Sequence, residues 1–355
     1  MALFRGLLAF GIFLSLGFAI ASADKDVLKR FPLLMPNVVP KRDDTYFCTP
    51  IRIDPTMDYY ITGFQPNTTS ALAHHMLVVG CTAPGLDEAL WNCGGMAMSN
   101  AGFRTAPTCA EGTQIIYAWA MDAPALLLPE GVAFRVGRSS DIKYLVLQVH
   151  YASMEPFRDG ATDDSGVFVY YKEKPQPRSA GVLLLGTGGR ILPQSVEYME
   201  TACTIEEDKV IHPFAFRTHT HSLGRVVSGY KVTRRGQEDE WTLLGKKDPQ
   251  LPQMFYPIAT NTTLTRGDRV AARCTMVSDR DTVTLIGATG KDEMCNFYLL
   301  YHTEGETLQQ KNCFSLGPPF YSWGGGDLRD IPDGDASSLP QGETAHEMGV
   351  QVHQM

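Results

Sequence analysis

The chain has 355 residues, of which 44% are hydrophobic and 20% charged, and a net charge of −8. That composition excludes a disordered chain and leaves room for two domains of ordinary size. With an acidic balance and no basic block, a nucleic-acid surface is excluded too, so any contact with an anion must rest on individually placed arginines.

Residues 1–23 read as a signal peptide: Arg5, a short apolar run, then Ala21-Ser22-Ala23 ahead of Asp24. The run is short for a bilayer span and no later segment reaches that length, so no stable membrane span is expected. The mature chain is expected in the secretory pathway lumen, in secretory vesicles or secreted. Residues 24–44, with Phe31-Pro32, Pro36 and Pro40, are expected as an extended leader. From residue 45 onward, short segments rich in Val, Ile, Tyr, Phe and Thr alternate with turn residues. Tyr144–Tyr151 and Val167–Tyr171 are examples. This predicts an all-β protein of two antiparallel β-sandwich domains, 45–174 and 181–320, joined by a Pro-containing linker at 175–180. Gly324-Gly325-Gly326 opens a polar, acidic segment, so residues 321–355 are expected as a disordered tail.

The eight cysteines fit an oxidising compartment. Cys48, Cys81, Cys93 and Cys109 precede His150, while Cys203, Cys274, Cys295 and Cys313 follow residue 200. Two bridges in each half is the simplest solution. Asn67-Thr68-Thr69 and Asn261-Thr262-Thr263 are sequons, giving expected glycosylation at Asn67 and Asn261.

The chemistry-bearing residues lie in both halves. His74 and His75 are adjacent in an apolar stretch. Neighbouring strand residues face opposite ways, so both reach one ion only at a bulge or strand end; otherwise one ligates and the other packs. His150 closes a similar strand, and three such imidazoles suit zinc or copper. In the second half, Phe216–Gly224 places His219 and His221 two residues apart, on one face of a strand. Arg217 shares that face, where a fixed cation could hold an anionic substrate group. A thioether beside two imidazoles would favour copper over zinc. Residue types alone do not single out Met294 among 14 methionines, most of which must pack in cores.

Five segments taken in series carry a resemblance. They are His74-His75-Met76-Leu77, Leu147–Tyr151, Arg217–His221, Pro249–Pro257 and Glu293–Asn296. Together they resemble the peptidylglycine α-hydroxylating monooxygenase family, over roughly residues 31–314. These are copper- and ascorbate-dependent enzymes that perform the first step of peptide C-terminal amidation. The resemblance implies two jelly-roll-like β-sandwiches facing across a solvent-filled cleft, with two copper ions, ascorbate as reductant and O2 as co-substrate. It implies an electron-transfer copper on His74, His75 and His150, and an O2-activating copper on His219, His221 and Met294. It assigns the substrate carboxylate of glycine-extended peptides to Arg217, Asn296 and Tyr298. It gives Gln148 and Gln253 a supporting role, orienting imidazoles or lining an electron route. It implies the bridges Cys48–Cys93, Cys81–Cys109, Cys203–Cys313 and Cys274–Cys295, which agree with the partition above. Vertebrate members of that family carry a further cysteine pair that this chain lacks, with Asp164 near one of its positions, which predicts a loosely held leader. No lyase segment follows, so a separate amidating lyase is an expected partner. The competing expectations are a catecholamine-type (dopamine β-monooxygenase-like) copper hydroxylase and a secreted copper-binding protein without turnover. A zinc hydrolase on the first three histidines is a third, and it lacks a paired general-base carboxylate.

Overall fold

Residues 26–68, 72–94, 104–120, 123–252, 254–287 and 291–344 are described by a computed structural model. The chain is all-β: its strands form several sheets that are antiparallel except at two short pairings. Two of these sheets enclose the core of the first half. One runs Trp91–Asn92, Thr45–Arg52, Tyr144–Tyr151, His75–Cys81, Gln114–Ala120. The other runs Lys29–Leu34, Gly166–Lys172, Asp58–Asn67, Val132–Gly137. Side-chain alternation does the sorting: Met76, Val78, Leu145, Leu147 and Val149 point into the core between the sheets. Leu77, Val79 and Val146 point outward, into a smaller cluster around the bridges Cys48–Cys93 and Cys81–Cys109.

The second sheet continues into the other half. Val132 and Ala133 pair in parallel with Arg178 and Ser179, and the sheet then runs through Arg178–Thr187, Cys295–Glu304 and His212–Thr220. Phe297, Leu299 and Phe216 face a second core. That core is closed by the sheet Val196–Thr204, Arg269–Val277, Gly224–Arg235, Glu238–Lys247. Tyr298, Leu300 and Ala215 face the opposite way and join the first half's core. Cys274–Cys295 ties the two sheets of this half together, and Cys203–Cys313 pins Val196–Thr204 to Asn312–Ser315.

Three expectations about connecting segments need correction. The leader is not a loose extension: Lys29–Leu34 pairs in full register with Gly166–Lys172, and Leu33, Met35 and Val38 are buried. Pro32 is tolerated because this is the edge strand of its sheet, where a missing N–H costs no ladder bond. Val38 and Asp163 exchange backbone hydrogen bonds at 2.8 Å, which ties the leader to the segment before Gly166–Lys172. Residues 178–180, expected as linker, are strand, because Arg178 and Ser179 carry the pairing between halves.

Residues 321–344 are not a disordered tail. Trp323, fully buried, packs with Tyr230, Val232, Ala271 and Leu328 on the outer face of the second-half sheet. Arg273, itself buried, pairs with Glu200 and Asp333 and lies 4.5 Å from the Trp323 ring centroid. The acidic residues that suggested disorder are the counter-charges of a basic sheet surface. Asp333 meets Arg273 at 2.6 Å and Asp335 meets Lys246 at 2.8 Å. Burying one tryptophan removes on the order of 200 Å² from water, about 5 kcal/mol before ordering entropy. Composition does not register such an anchor.

Candidate metal centres

His75 is the first residue of its strand, and His150 is its direct antiparallel partner. His74 lies just outside the strand, with its backbone N–H donating to the His150 carbonyl at 2.8 Å. This strand end is what lets two adjacent histidines turn to one point. His75 Nδ1 lies 3.4 Å from His74 Nδ1 and 3.3 Å from His150 Nδ1. All three residues offer ligand atoms within 4.8 Å of one another. Metal–nitrogen bonds of about 2.0–2.1 Å put ligand nitrogens about 3.3–3.5 Å apart, so the spacing fits one bound ion. Burial, then the neighbouring His150 and His74 imidazoles, hold the His75 pKa well below its usual value. The ring is therefore neutral, the form that ligates.

The remaining His150 nitrogen is engaged from behind. Its Nε2–H donates to Asp44 Oδ1 at 2.7 Å, which leaves the Nδ1 lone pair facing the cluster. That hydrogen bond holds the Asp44 carboxyl below the usual range. Tyr46, cross-strand from His150, stacks on its ring at 4.0 Å. Asp44→Ala is expected to weaken metal binding at this centre about tenfold by freeing the ring to reorient. Competition against a chelator measures it, and unchanged affinity would show that Asp44 does not orient the ligand.

The second centre is built on the strand His212–Thr220. His219 pairs cross-strand with Asn296, and Arg217 with Tyr298. His221 follows the strand end, its ring 5.6 Å from that of His219. Its Nδ1 lies 2.9 Å from the Asp292 carbonyl. A carbonyl can only accept, so Nδ1 carries the proton and Nε2 keeps its lone pair for a ligand. Met294 precedes the strand Cys295–Glu304, and its Sδ is 3.8 Å from Asn296 Nδ2. A thioether joined to these two imidazoles would make a soft donor set suited to copper. Beneath them the fully buried Glu293 accepts from the backbone N–H of His221 at 2.8 Å, Leu223 at 2.6 Å and Met294 at 3.1 Å. One carboxylate therefore ties the His221 turn to the Met294 turn.

Arg217 and Tyr298 are each only 5% exposed, with the guanidinium 4.9 Å from the ring centroid. They are covered, rather than standing on the wall of a solvent-filled cleft. Gln148, expected to orient imidazoles or line an electron route, has its Nε2 donating to Thr108 Oγ1 at 3.1 Å and the Cys93 carbonyl at 3.4 Å, which braces the disulfide loop. Gln253 lies outside the described residues, as do residues 1–23 and Thr69 of the first sequon. Asn67 ends a strand half-buried, whereas Asn261 is exposed. Sequence reasoning missed Asp44, Tyr46, Glu293 and Gln250, whose Nε2 donates to the His221 carbonyl at 2.7 Å. Glu293 carries the one available signal, an acidic residue beside the proposed Met ligand.

Two family models match the chain. The N-terminal domain of copper type II ascorbate-dependent monooxygenases matches residues 31–158, and the C-terminal domain matches 178–324. The peptidylglycine alpha-amidating monooxygenase of Rattus norvegicus is 42% identical over 275 residues, covering 77% of this chain and 26% of that protein. Peptidyl-glycine alpha-amidating monooxygenase A of Xenopus laevis is 39% identical over 289 residues, with coverages of 80% and 29%. DBH-like monooxygenase protein 1 of Homo sapiens is 26% identical over 286 residues, with coverages of 74% and 45%. The chain thus spans under a third of the length of its amidating relatives. With both domain models matched in order, the chain belongs to the copper type II ascorbate-dependent monooxygenase family, whose members are oxidoreductases that use copper, ascorbate and O2.

Proposed function

We propose that this protein hydroxylates the α-carbon of the C-terminal glycine in glycine-extended peptides, the first step of peptide amidation. In the balanced reaction, O2 and two electrons with two protons from ascorbate give one hydroxyl on that carbon and one water. His74, His75 and His150 would hold an electron-transfer copper, and His219, His221 and Met294 an O2-activating copper. Copper supplies one-electron redox chemistry and O2 binding, the latter favoured where a thioether stabilises the reduced ion.

The observation that carries this reading is the register of two strands. Arg217 pairs with Tyr298, and two positions along, His219 pairs with Asn296. Residues two apart on a strand share a face and stand about 7 Å from each other. A carboxylate held by the guanidinium, with the Tyr298 hydroxyl and Asn296 amide as neutral donors, places the carbon bonded to it toward His219. Burial makes Arg217 a strong anchor, since a desolvated cation gains most from an anionic partner. The four disulfides support a secretory location.

The decisive assay incubates the copper-loaded protein with ascorbate, O2 and a peptide ending in glycine. Mass spectrometry should show a gain of one oxygen, with none on tyramine or dopamine; the reverse preference would move the protein to the catecholamine-type reading. Arg217→Gln is expected to raise KM for glycine-terminated acids about 100-fold, some 2.7 kcal/mol, with a smaller effect on kcat. If peptide amides bound as well as the acids, the carboxylate anchor would be excluded.

A further inference from the structure

One aromatic side chain stands on the same face as the proposed substrate clamp and has no part in it. The strand Asn312–Ser315 pairs in parallel with Arg178–Thr187, placing Phe314 beside Gly186. Gly186 pairs with Asn296, and Asn296 with His219. Phe314, Gly186, Asn296 and His219 thus form one row across four strands, next to the row of Asn312, Leu184, Tyr298 and Arg217.

Gly186 is what lets Phe314 reach the clamp. A Cβ on residue 186 would meet Phe314 Cε1 at 2.5 Å and Asn296 Oδ1 at 2.9 Å. The ring therefore lies over the space a side chain would fill and borders the Asn296 amide. Exposure is graded along this face: Arg217 is 5% exposed at the covered end, whereas Phe314 is 59% exposed. A peptide anchored by its carboxylate at Arg217 must leave toward the open end. Each extended residue advances about 3.4 Å and strands lie about 4.8 Å apart, so the side chain before the glycine falls within one strand's width of the clamp. An aromatic ring left this exposed beside a polar clamp is a hydrophobic surface without a covering partner.

We propose that Phe314 is a specificity-determining residue. Its ring, laid across Gly186 beside Asn296, is the platform for the side chain that precedes the C-terminal glycine. It selects aromatic and aliphatic residues there over acidic ones. The assignment rests on the glycine-hydroxylation reading above and adds the residue class of the substrate's penultimate position.

The test compares kcat/KM for acetyl-Phe-Gly, acetyl-Ala-Gly and acetyl-Asp-Gly in the copper-loaded full chain and in Phe314→Ala and Phe314→Tyr. The wild-type order is Phe over Ala over Asp. Phe314→Ala should cut the Phe-to-Ala ratio about tenfold, chiefly through KM, and Phe314→Tyr should keep it. A variant that merely disturbs the strand next to Cys313 lowers both substrates together and leaves the ratio intact. A ratio within about twofold of wild type in Phe314→Ala overturns the assignment while hydroxylation itself stands. Absence of turnover on every glycine-terminated peptide overturns the functional reading, and the Phe314 platform with it.

Discussion

Met294→Ile is expected to remove nearly all of the proposed hydroxylation of a glycine-terminated peptide while the protein folds and retains metal binding at His74, His75 and His150. Isoleucine nearly conserves volume at a half-buried site, so the stability change should stay below about 1.5 kcal/mol. The chemistry lost is specific to sulfur. The thioether lies 3.8 Å from Asn296 Nδ2, whose residue pairs with His219, and the role proposed for it is to favour the reduced state of a copper held there. Without it, kcat/KM should fall on the order of 1,000-fold, about 4 kcal/mol. Copper content should fall by no more than about half, since the first centre has no sulfur ligand. X-ray absorption on the copper-loaded protein should show a sulfur scatterer in wild type and none in the variant. Wild-type turnover in Met294→Ile would remove sulfur from the mechanism and with it the distinction between the two centres.

What could be read from the sequence was whatever depends on local spacing. His-x-His on a strand needs only the two-residue period, and it holds for His219, whereas His221 falls just past the strand end at Thr220. The even cysteine partition needed only an oxidising compartment and a midpoint. For His74 and His75 the alternatives stayed open, because convergence depends on the strand starting at His75 and on its pairing with His150, 75 residues away. Contacts made through such register have no local signature. Asp44 reaches His150 across 106 residues, and Glu293 reaches His221 across 72. The leader and the acidic tail were misjudged for a related reason. Proline and acidic residues lower strand propensity locally, but an edge position excuses Pro32, and the counter-charges Arg273 and Lys246 hold Asp333 and Asp335. Gln148 shares the His150 face by alternation, and its amide bonds to Thr108 and Cys93 could not be read from that spacing.

Glu293→Ala is the second large effect, and it separates architecture from ligation. The Glu293 side chain contacts no proposed substrate and is not itself a proposed ligand. Its two carboxylate oxygens collect the backbone N–H groups of His221, Leu223 and Met294 in a site with no solvent exposure. Truncation leaves three buried donors without an acceptor. At about 1–3 kcal/mol for each orphaned group, partly relieved by relaxation, the expected loss is roughly 3–5 kcal/mol of stability. The loss should also be local. The His221 turn and the Met294 turn would keep only the His221 Nδ1–Asp292 carbonyl bond between them, so copper affinity should fall at the second centre and hold at the first. Glu293→Gln is the discriminating companion. It keeps the volume and one acceptor oxygen but turns an N–H2 donor toward at least one backbone donor, so an intermediate loss is expected. Denaturant unfolding together with metal titration reads both quantities. If Glu293→Ala unfolded within about 0.5 kcal/mol of wild type and still bound copper fully at both centres, Cys274–Cys295, the His221–Asp292 bond and the Gln250 bonds would suffice to fix the two ligand-bearing turns.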